Sequence, residues 1–208
     1  MNALKQGTGP MESCNRYLAT DPVNLLLPFK TYLMQFDIEK AMQVLERTPR
    51  VLEALLHGLA DEWIYSNEGG DTWTPFDIVA HLIHGEKTDW LPRTLIILGE
   101  GNKQFVPFDM KGHIKESKGK TMSQLLDEFT ILRKHNLAIL KEINITNEML
   151  DRTGIHPEQG PVTLRQLLAA WVVHDLTHIH QLSRVMAKQY DEAVGSWKKW
   201  MGVLGGKR

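Results

Sequence analysis

The chain has 208 residues, with 24 Lys and Arg against 25 Asp and Glu, so its formal net charge is −1 at pH 7. This balance excludes the basic footprint typical of proteins that bind nucleic acid or an anionic membrane surface, and we expect neither partner. Cys14, the single cysteine, excludes an internal disulfide and a multi-cysteine metal site. No apolar run has the length of a signal peptide or a membrane span, so we expect a cytoplasmic protein.

The chain begins with a polar stretch, and a first helical pattern follows it. Residues 1–22 contain glycine and proline with little apolar periodicity and are predicted to form a flexible N-terminal arm, which leaves residues 23–208 for one domain. From Ile38 onward apolar residues recur at helical spacing. Pro49 lies inside this pattern and removes a backbone hydrogen bond, so helix one is predicted to kink near Thr48.

A second helix has a clear start signal. Thr74 followed by Pro75 supplies an N-cap and a proline at the first helical position, and the pattern then continues to about Leu98. The next segment, residues 99–120, is rich in glycine and lysine and lacks periodicity. Its length between two helices predicts either a crossover connection or a flap, and we expect it to be mobile.

Two further helices complete the pattern. Thr121 or Ser123 caps helix three, which is predicted to end near Asn144, and Thr163 caps helix four, which is predicted to continue to about Tyr190. No segment alternates in the manner of a strand, so the fold is predicted to be all-α, a four-helix bundle with an N-terminal arm and a short C-terminal helix. The apolar residues of that last piece must pack on the bundle or on a partner: Trp197, Trp200, Met201 and Leu204.

Two histidines four residues apart are the most informative feature of the sequence. His174 and His178 project from one face of helix four and fall on its apolar stripe. An imidazole in an apolar seam needs a polar partner, and a shared metal ion is one such partner. Two imidazoles alone bind a metal weakly, so a third ligand must come from another helix. His81 is the best candidate, because it lies on the buried face of helix two and Gly85, one turn later, leaves space beside it.

A metal-free alternative stays open at this point, in which these are core histidines satisfied by side-chain hydrogen bonds. His84 lies three residues from His81 and could reach the same ion, but it is nearer another edge of the helix. It is therefore a reserve ligand. His156 lies in a turn, where we expect it to brace the start of helix four, and His180 points away from His178 and is expected at the surface. The remaining histidines are expected to be solvated or packed at a rim: His57, His113 and His135.

Other polar and aromatic residues near these histidines each have two interpretations. Asp175 can orient a liganding imidazole, or it can be solvated at the edge of the bundle. Arg93 can face an anionic group or form a surface salt bridge. Asn136 interrupts the apolar face of helix three and is expected to contact a buried polar group or water. Three tryptophans can line a cavity or fill the core: Trp73, Trp90 and Trp171.

Two sequence blocks resemble those of a known family. The block WTPFDIVAHLIHGEKTDWLPR surrounds His81, and the block TGIHPEQGPVTLRQLLAAWVVHDLTHIHQLSRVMAKQY contains His174 and His178 in an HxxxHxxQ pattern that ends at Gln181. Together they resemble the DinB-like, or YfiT-like, superfamily of metal-dependent bundles, and the likeness covers most of the chain. It implies a four-helix bundle, often a homodimer, whose three histidines bind a divalent ion, usually nickel or zinc. The resemblance gives no role to His84, His156 or His180.

The resemblance implies less about activity, because characterised relatives include thiol-dependent transferases and isomerases while many members have no known activity. The leading hypothesis is a metal-dependent transferase in which a low-molecular-weight thiol loses its proton beside the ion and attacks an electrophilic small molecule. Cys14 lies in the predicted arm, so the thiol is expected to come from solution. Two alternatives stay open: a non-catalytic, stress-associated metal-binding dimer, and a metal-dependent hydrolase of small molecules.

Overall fold

A computed structural model describes residues 34–206 of the chain, and the predicted arm of residues 1–22 lies outside them. The α-helices of this part are α1 (Ile38–Leu45), α2 (Thr48–Leu56), α3 (Asp61–Tyr65), α4 (Pro75–Thr88), α5 (Trp90–Leu98), α6 (Gly112–Glu116), α7 (Met122–Ile143), α8 (Asn147–Leu150) and α9 (Leu164–Lys188). The strands β1 (Thr153–His156) and β2 (Gly160–Thr163) form an antiparallel hairpin, and short 3₁₀ helices cover Gly195–Trp200 and Gly202–Leu204.

Four helical rods pack against one another: α1 with α2, α4 with α5, α7, and α9. The predicted four-helix bundle is therefore confirmed. The hairpin is the main departure from an all-α fold, and the sequence did not predict it. Its strands have four residues each, which is too short for an alternating pattern to stand out.

Capping explains where three of the rods begin. Thr74, Thr121 and Thr163 each accept a hydrogen bond from the backbone N–H three residues later, and the side chain of that later residue accepts one in return. These reciprocal bonds satisfy donors that the first helical turn leaves unpaired. Helix α7 ends at Asn144 in the left-handed conformation, with φ of 51°. The predicted caps of helices three and four are confirmed.

Two of the four rods are broken, and proline explains both breaks. The predicted kink near Thr48 is a full interruption, after which α2 starts with Pro49 in its first turn. The predicted helix two is also interrupted, because Asp89 leaves helical geometry with ψ of −76°. Pro92 lies four residues after Thr88, and its ring would clash with the Thr88 carbonyl in a continuous helix.

The segment of residues 99–120 packs against the bundle and the hairpin. The Phe105 amide donates to the Ile155 carbonyl at 2.9 Å, and the Ile155 amide donates to the Lys103 carbonyl at 2.8 Å. The buried Phe105 ring lies over Gly154, where an added Cβ would come within 2.4 Å of it. A glycine is therefore required at this point of the hairpin, and the segment is held beside the bundle.

The C-terminal piece does not bury its tryptophans. Trp197 is 67% exposed and Trp200 is 63% exposed in 3₁₀ turns after α9, so the expected packing on the bundle is wrong for these two rings. Packing on a partner stays a prediction. None of the helices within residues 34–206 combines the length and the apolar character needed to cross a membrane.

A polar layer divides the core of the bundle into two apolar clusters. One cluster is built around Phe129 and Leu182, and the other is built around Leu140 and Trp171. Arg133, which is 1% exposed, lies between them and uses all five N–H groups of its guanidinium. Its acceptors are the carboxylates of Glu86 and Asp175 and the backbone carbonyl of Leu45, at 2.6–3.0 Å.

Other side chains complete this layer. Asn136 donates to a Glu86 carboxylate oxygen at 2.9 Å, which confirms the expected contact with a buried polar group, and Trp171 donates to the other oxygen at 3.1 Å. Thr48 donates to Asp175 at 2.6 Å. The layer thereby joins all four rods. Its members come from the first rod (Leu45 and Thr48), from α4 (Glu86), from α7 (Arg133 and Asn136) and from α9 (Asp175).

Replacement of the arginine by an apolar residue of similar length tests this layer. Arg133→Met should lower the free energy of unfolding by about 3–5 kcal/mol, because two buried carboxylates lose their common partner. Urea unfolding followed by circular dichroism measures the loss. The matched control is Lys134→Met, an exposed neighbour on the same helix. A loss in Arg133→Met no larger than that of the control would contradict the role of the layer.

Candidate metal centre

Three histidine side chains converge between α4 and α9. His81 Nε2 lies 3.2 Å from His174 Nε2, and His178 Nε2 lies 3.1 Å from the same atom. One nitrogen from each ring can be chosen so that all three lie within 4.8 Å of one another. The structure thus brings together the three residues that the sequence singled out. Their role as metal ligands stays a prediction at this point.

The three rings are held neutral by their surroundings. Burial, together with a smaller effect of the neighbouring imidazoles, lowers the pKa of both His81 and His174 to about 3. Burial also lowers the pKa of His178. Neutral imidazole is the form that binds a metal, because the ligand nitrogen must have a free lone pair.

Gln181 fixes the orientation of one ring. Its Oε1 lies 2.8 Å from His178 Nδ1, and an amide oxygen only accepts hydrogen bonds, so this nitrogen carries the proton of the neutral ring. The Nε2 atom of His178 therefore presents a lone pair toward the other two rings. The Nδ1 atoms of His81 and His174 are buried and have no hydrogen-bond partner among the described residues.

A cavity of about 470 Å³ adjoins the three imidazoles. Trp73 packs against them, with its ring centroid 4.7 Å from that of His81 and 6.1 Å from that of His178. Phe108, from the segment of residues 99–120, lies 5.5 Å from the His81 ring. Further residues line the cavity: Gly85, Asp89, Arg93, Pro107, Met110, His156, Pro157, Glu158 and Gln159. A small molecule in this space would contact the three histidines.

The sequence model of the DinB superfamily matches residues 44–182, which is more than half of the chain. The chain belongs to the DinB superfamily. His81, His174, His178 and Gln181 all lie within the matched residues.

A solved structure supports the same fold. YfiT from Bacillus subtilis, described as a probable metal-dependent hydrolase with an unusual four-helix bundle topology, is similar with a TM-score of 0.60 and 22% identity over 73% of this chain and 86% of that chain. A four-helix bundle protein, TT2238, gives a TM-score of 0.48 and 17% identity over 71% of this chain and 98% of that chain. None of the curated proteins matches the DinB chain at a significant level.

The other histidines of the chain lie outside the cluster. His84, the reserve ligand, is turned to Glu116, whose Oε1 lies 2.9 Å from its Nδ1. His113 is buried, with its ring centroid 5.1 Å from that of Trp73, so the expectation of a solvated or rim position is wrong. Its burial could not be read from the irregular sequence around it. The expected exposure is confirmed for His57, His135 and His180.

Two charged residues near the site are more buried than expected. Asp175 is neither solvated nor bonded to an imidazole, because Arg133 and Thr48 take up its oxygens. Arg93 does form an ion pair, with Asp89 at 2.6 Å, but the pair is buried and lines the cavity. His81, Gly85, Asp89 and Arg93 are spaced by four residues. That spacing is visible in the sequence and would have placed Asp89 and Arg93 beside the histidines.

The depressed pKa values predict a pH dependence of stability in the metal-free protein. Below pH 6.5 the unfolded chain protonates His81 and His174, whereas the folded chain leaves them neutral down to about pH 3. Stability should therefore be largest above pH 6.5 and fall as the pH is lowered from 6.5 to 5, by about 2.7 kcal/mol per unit once both rings are protonated in the unfolded chain. Urea unfolding after treatment with a chelator measures this slope.

A single substitution separates this effect from other titrations. His174→Asn should make the slope shallower by about one proton, or about 1.4 kcal/mol per pH unit, while His180→Asn should leave it unchanged because this ring is exposed. A free energy of unfolding that stays constant between pH 6.5 and 5 would show that the rings are not held neutral by burial.

Proposed function

We propose that the chain is a metal-dependent enzyme in which His81, His174 and His178 hold one divalent ion through their Nε2 atoms. The observation that carries this proposal is the convergence of three neutral imidazoles at the wall of a cavity, where His174 Nε2 lies 3.2 Å from His81 Nε2 and 3.1 Å from His178 Nε2. His81 and His178 are buried, and His174 is half-buried. In a tetrahedral site with metal–nitrogen distances of about 2.0–2.1 Å, ligand nitrogens lie about 3.3 Å apart. The spacing of the Nε2 atoms therefore fits a metal ion without large movements of the rings.

The donor set supports a particular class of ion. Imidazole nitrogens suit zinc and nickel, whereas magnesium and calcium prefer oxygen ligands. Gln181 adds the kind of support that metal sites use, since it accepts the Nδ1–H of His178 and keeps Nε2 free. The proposed ion is accordingly zinc or nickel.

The cavity favours catalysis over a purely structural role. Structural zinc sites are closed by four protein ligands, while catalytic sites use three and keep one position for water or substrate. Among the described residues the cluster contains three candidate ligands, and the cavity of about 470 Å³ lies beside them. A space of this size accommodates a small molecule.

The reaction we propose is transfer to a low-molecular-weight thiol. When bound, a divalent ion supplies Lewis acidity that lowers the pKa of a thiol at its open position. The described residues contain no cysteine, so the sulfur comes from solution and the electrophile is a second small molecule. Trp73 and Phe108 narrow the space around the imidazoles and limit the access of water to the reacting groups.

Hydrolysis is the second candidate, and a specific observation favours it. Asp89 and Glu158 line the same cavity and offer carboxylates that can accept a proton from water. YfiT, which shares the fold, is described as a probable metal-dependent hydrolase. The non-catalytic alternative, a stress-associated metal-binding dimer, predicts a bound ion without turnover of either kind.

Metal content gives the first test. The purified protein should bind one zinc or nickel ion per chain, and His174→Ala should reduce the affinity at least 100-fold because only two ligands remain. Isothermal titration after removal of metal with a chelator measures the affinity. His180→Ala is the matched control on the same helix and should bind as the wild type does. Equal metal affinity in His174→Ala and in the wild type would overturn the proposed centre.

Thiol binding distinguishes transfer to a thiol from hydrolysis. The metal-loaded protein should bind cysteine or a related small thiol, and the S-methyl derivative should bind at least tenfold more weakly because it forms no thiolate. Competition titration measures both affinities. Equal binding of the two compounds, together with turnover of ester or amide probes in the absence of thiol, would replace the transferase by the hydrolase.

A further inference from the structure

A second polar group shares the cavity with the three imidazoles. Arg93, Asp89 and His156 all line it. The guanidinium carbon of Arg93 lies 5.1 Å from the centroid of the Phe105 ring, and the His156 ring lies 6.3 Å from the same centroid. Arg93 and His156 therefore both lie beside the Phe105 ring and line the same cavity, and neither belongs to the histidine cluster.

The two buried arginines of the bundle differ in how their donors are used. Arg133 donates through all five N–H groups to protein acceptors within 3.0 Å. Arg93 is also buried, at 6% exposure, but only its Nη1 has a close partner, the Asp89 carboxylate at 2.6 Å. Its Nη2 makes a long contact of 3.4 Å with the Val106 carbonyl, and its Nε has no partner among the described residues.

The underused donors lie on one edge of the guanidinium. Nε–H and one Nη2–H point in parallel from this edge, and their separation matches the two oxygens of a carboxylate. Asp89 occupies Nη1 and leaves this edge open. The ion pair therefore fixes the position of the guanidinium without using its bidentate edge. A buried donor without a partner is unfavourable, so a ligand that satisfies it is favoured.

His156 adds a donor at the same place. Its Nδ1 accepts from the backbone amides of Glu158 and Gln159, at 3.2 and 3.3 Å. In the neutral ring the proton is therefore on Nε2, which is left as a donor. The residues beside Phe105 thus offer three N–H donors, two from Arg93 and one from His156.

We infer that Arg93 and His156 form a carboxylate-binding subsite and that the small molecule transformed in this cavity is a carboxylic acid. Its carboxylate binds the Nε–Nη2 edge of Arg93, and its reactive atom lies at the three imidazoles. The placement of the reactive atom at the three imidazoles rests on the proposed function. Three neutral ligands leave the charge of a divalent ion uncompensated, which further favours an anionic ligand in the cavity.

Binding of benzoate tests the subsite, with benzamide as a neutral compound of the same shape. Titration calorimetry on the metal-free, chelator-treated protein measures the contribution of Arg93 without any binding to the ion. Benzoate should bind at least tenfold more tightly than benzamide, because a charge-assisted bidentate pair replaces a neutral contact. The Nε–H signal of Arg93 in ¹⁵N NMR spectra should shift on addition of benzoate. Equal binding of benzoate and benzamide would overturn the inference.

Arg93→Lys is the test variant, since it keeps the charge beside Asp89 but removes the bidentate edge. It should weaken benzoate binding at least tenfold, while Arg184→Lys, which alters an exposed arginine paired with Glu68, should leave binding unchanged. Circular dichroism verifies that both variants are folded. If Arg93→Lys does not fold, the Nε–H shift in the wild-type protein decides the question, and its absence overturns the inference.

The same experiment separates this inference from the proposed function. If benzoate binds only the zinc-loaded protein, and binds Arg93→Lys as well as the wild type, its carboxylate binds the ion. This result would overturn the subsite and leave the metal centre intact. Binding that depends on Arg93 in a protein without affinity for zinc or nickel would support the subsite and refute the metal centre.

Discussion

The buried layer around Arg133 is the constraint on which the rest of the structure depends. A guanidinium and two carboxylates in the middle of an apolar core are costly to bury unless every donor and acceptor is paired. Only one alignment of the four rods pairs them all, because the partners come from α1, α2, α4, α7 and α9. An apolar core would tolerate sliding of one helix along another more readily than this layer does.

The same layer places the histidines. Glu86 lies five residues after His81 on α4, and Asp175 directly follows His174 on α9. Once Arg133 has joined Glu86 and Asp175, the faces of α4 and α9 that carry the imidazoles are aligned. The pairing of Asp175 with Arg133 also explains why this carboxylate does not reach a histidine. Asp175 affects the site indirectly, because its pairing with Arg133 aligns α9 with α4.

Much of the fold and the centre of the site could be predicted from the sequence, for physical reasons. Capping residues and apolar periodicity are local signals, so the limits of α7 and α9 were predictable, and helical spacing placed His174 beside His178. The interruption at Asp89 has a local cause in Pro92, whereas the pairing of Arg133 and the burial of His113 depend on contacts between distant segments. For Arg93 the sequence left open an anionic group and a surface salt bridge, because its burial depends on Phe105 and the hairpin, whose positions the local sequence does not specify.

The central claim is that His81, His174 and His178 bind one metal ion. X-ray absorption spectroscopy of the zinc- or nickel-loaded protein in solution, combined with anomalous diffraction from crystals, tests it most directly. The account predicts one ion per chain, at about 2.0–2.1 Å from the Nε2 atom of each of the three histidines. An ion bound elsewhere in the chain, or three imidazoles that stay without a metal at saturating zinc and nickel, would contradict it.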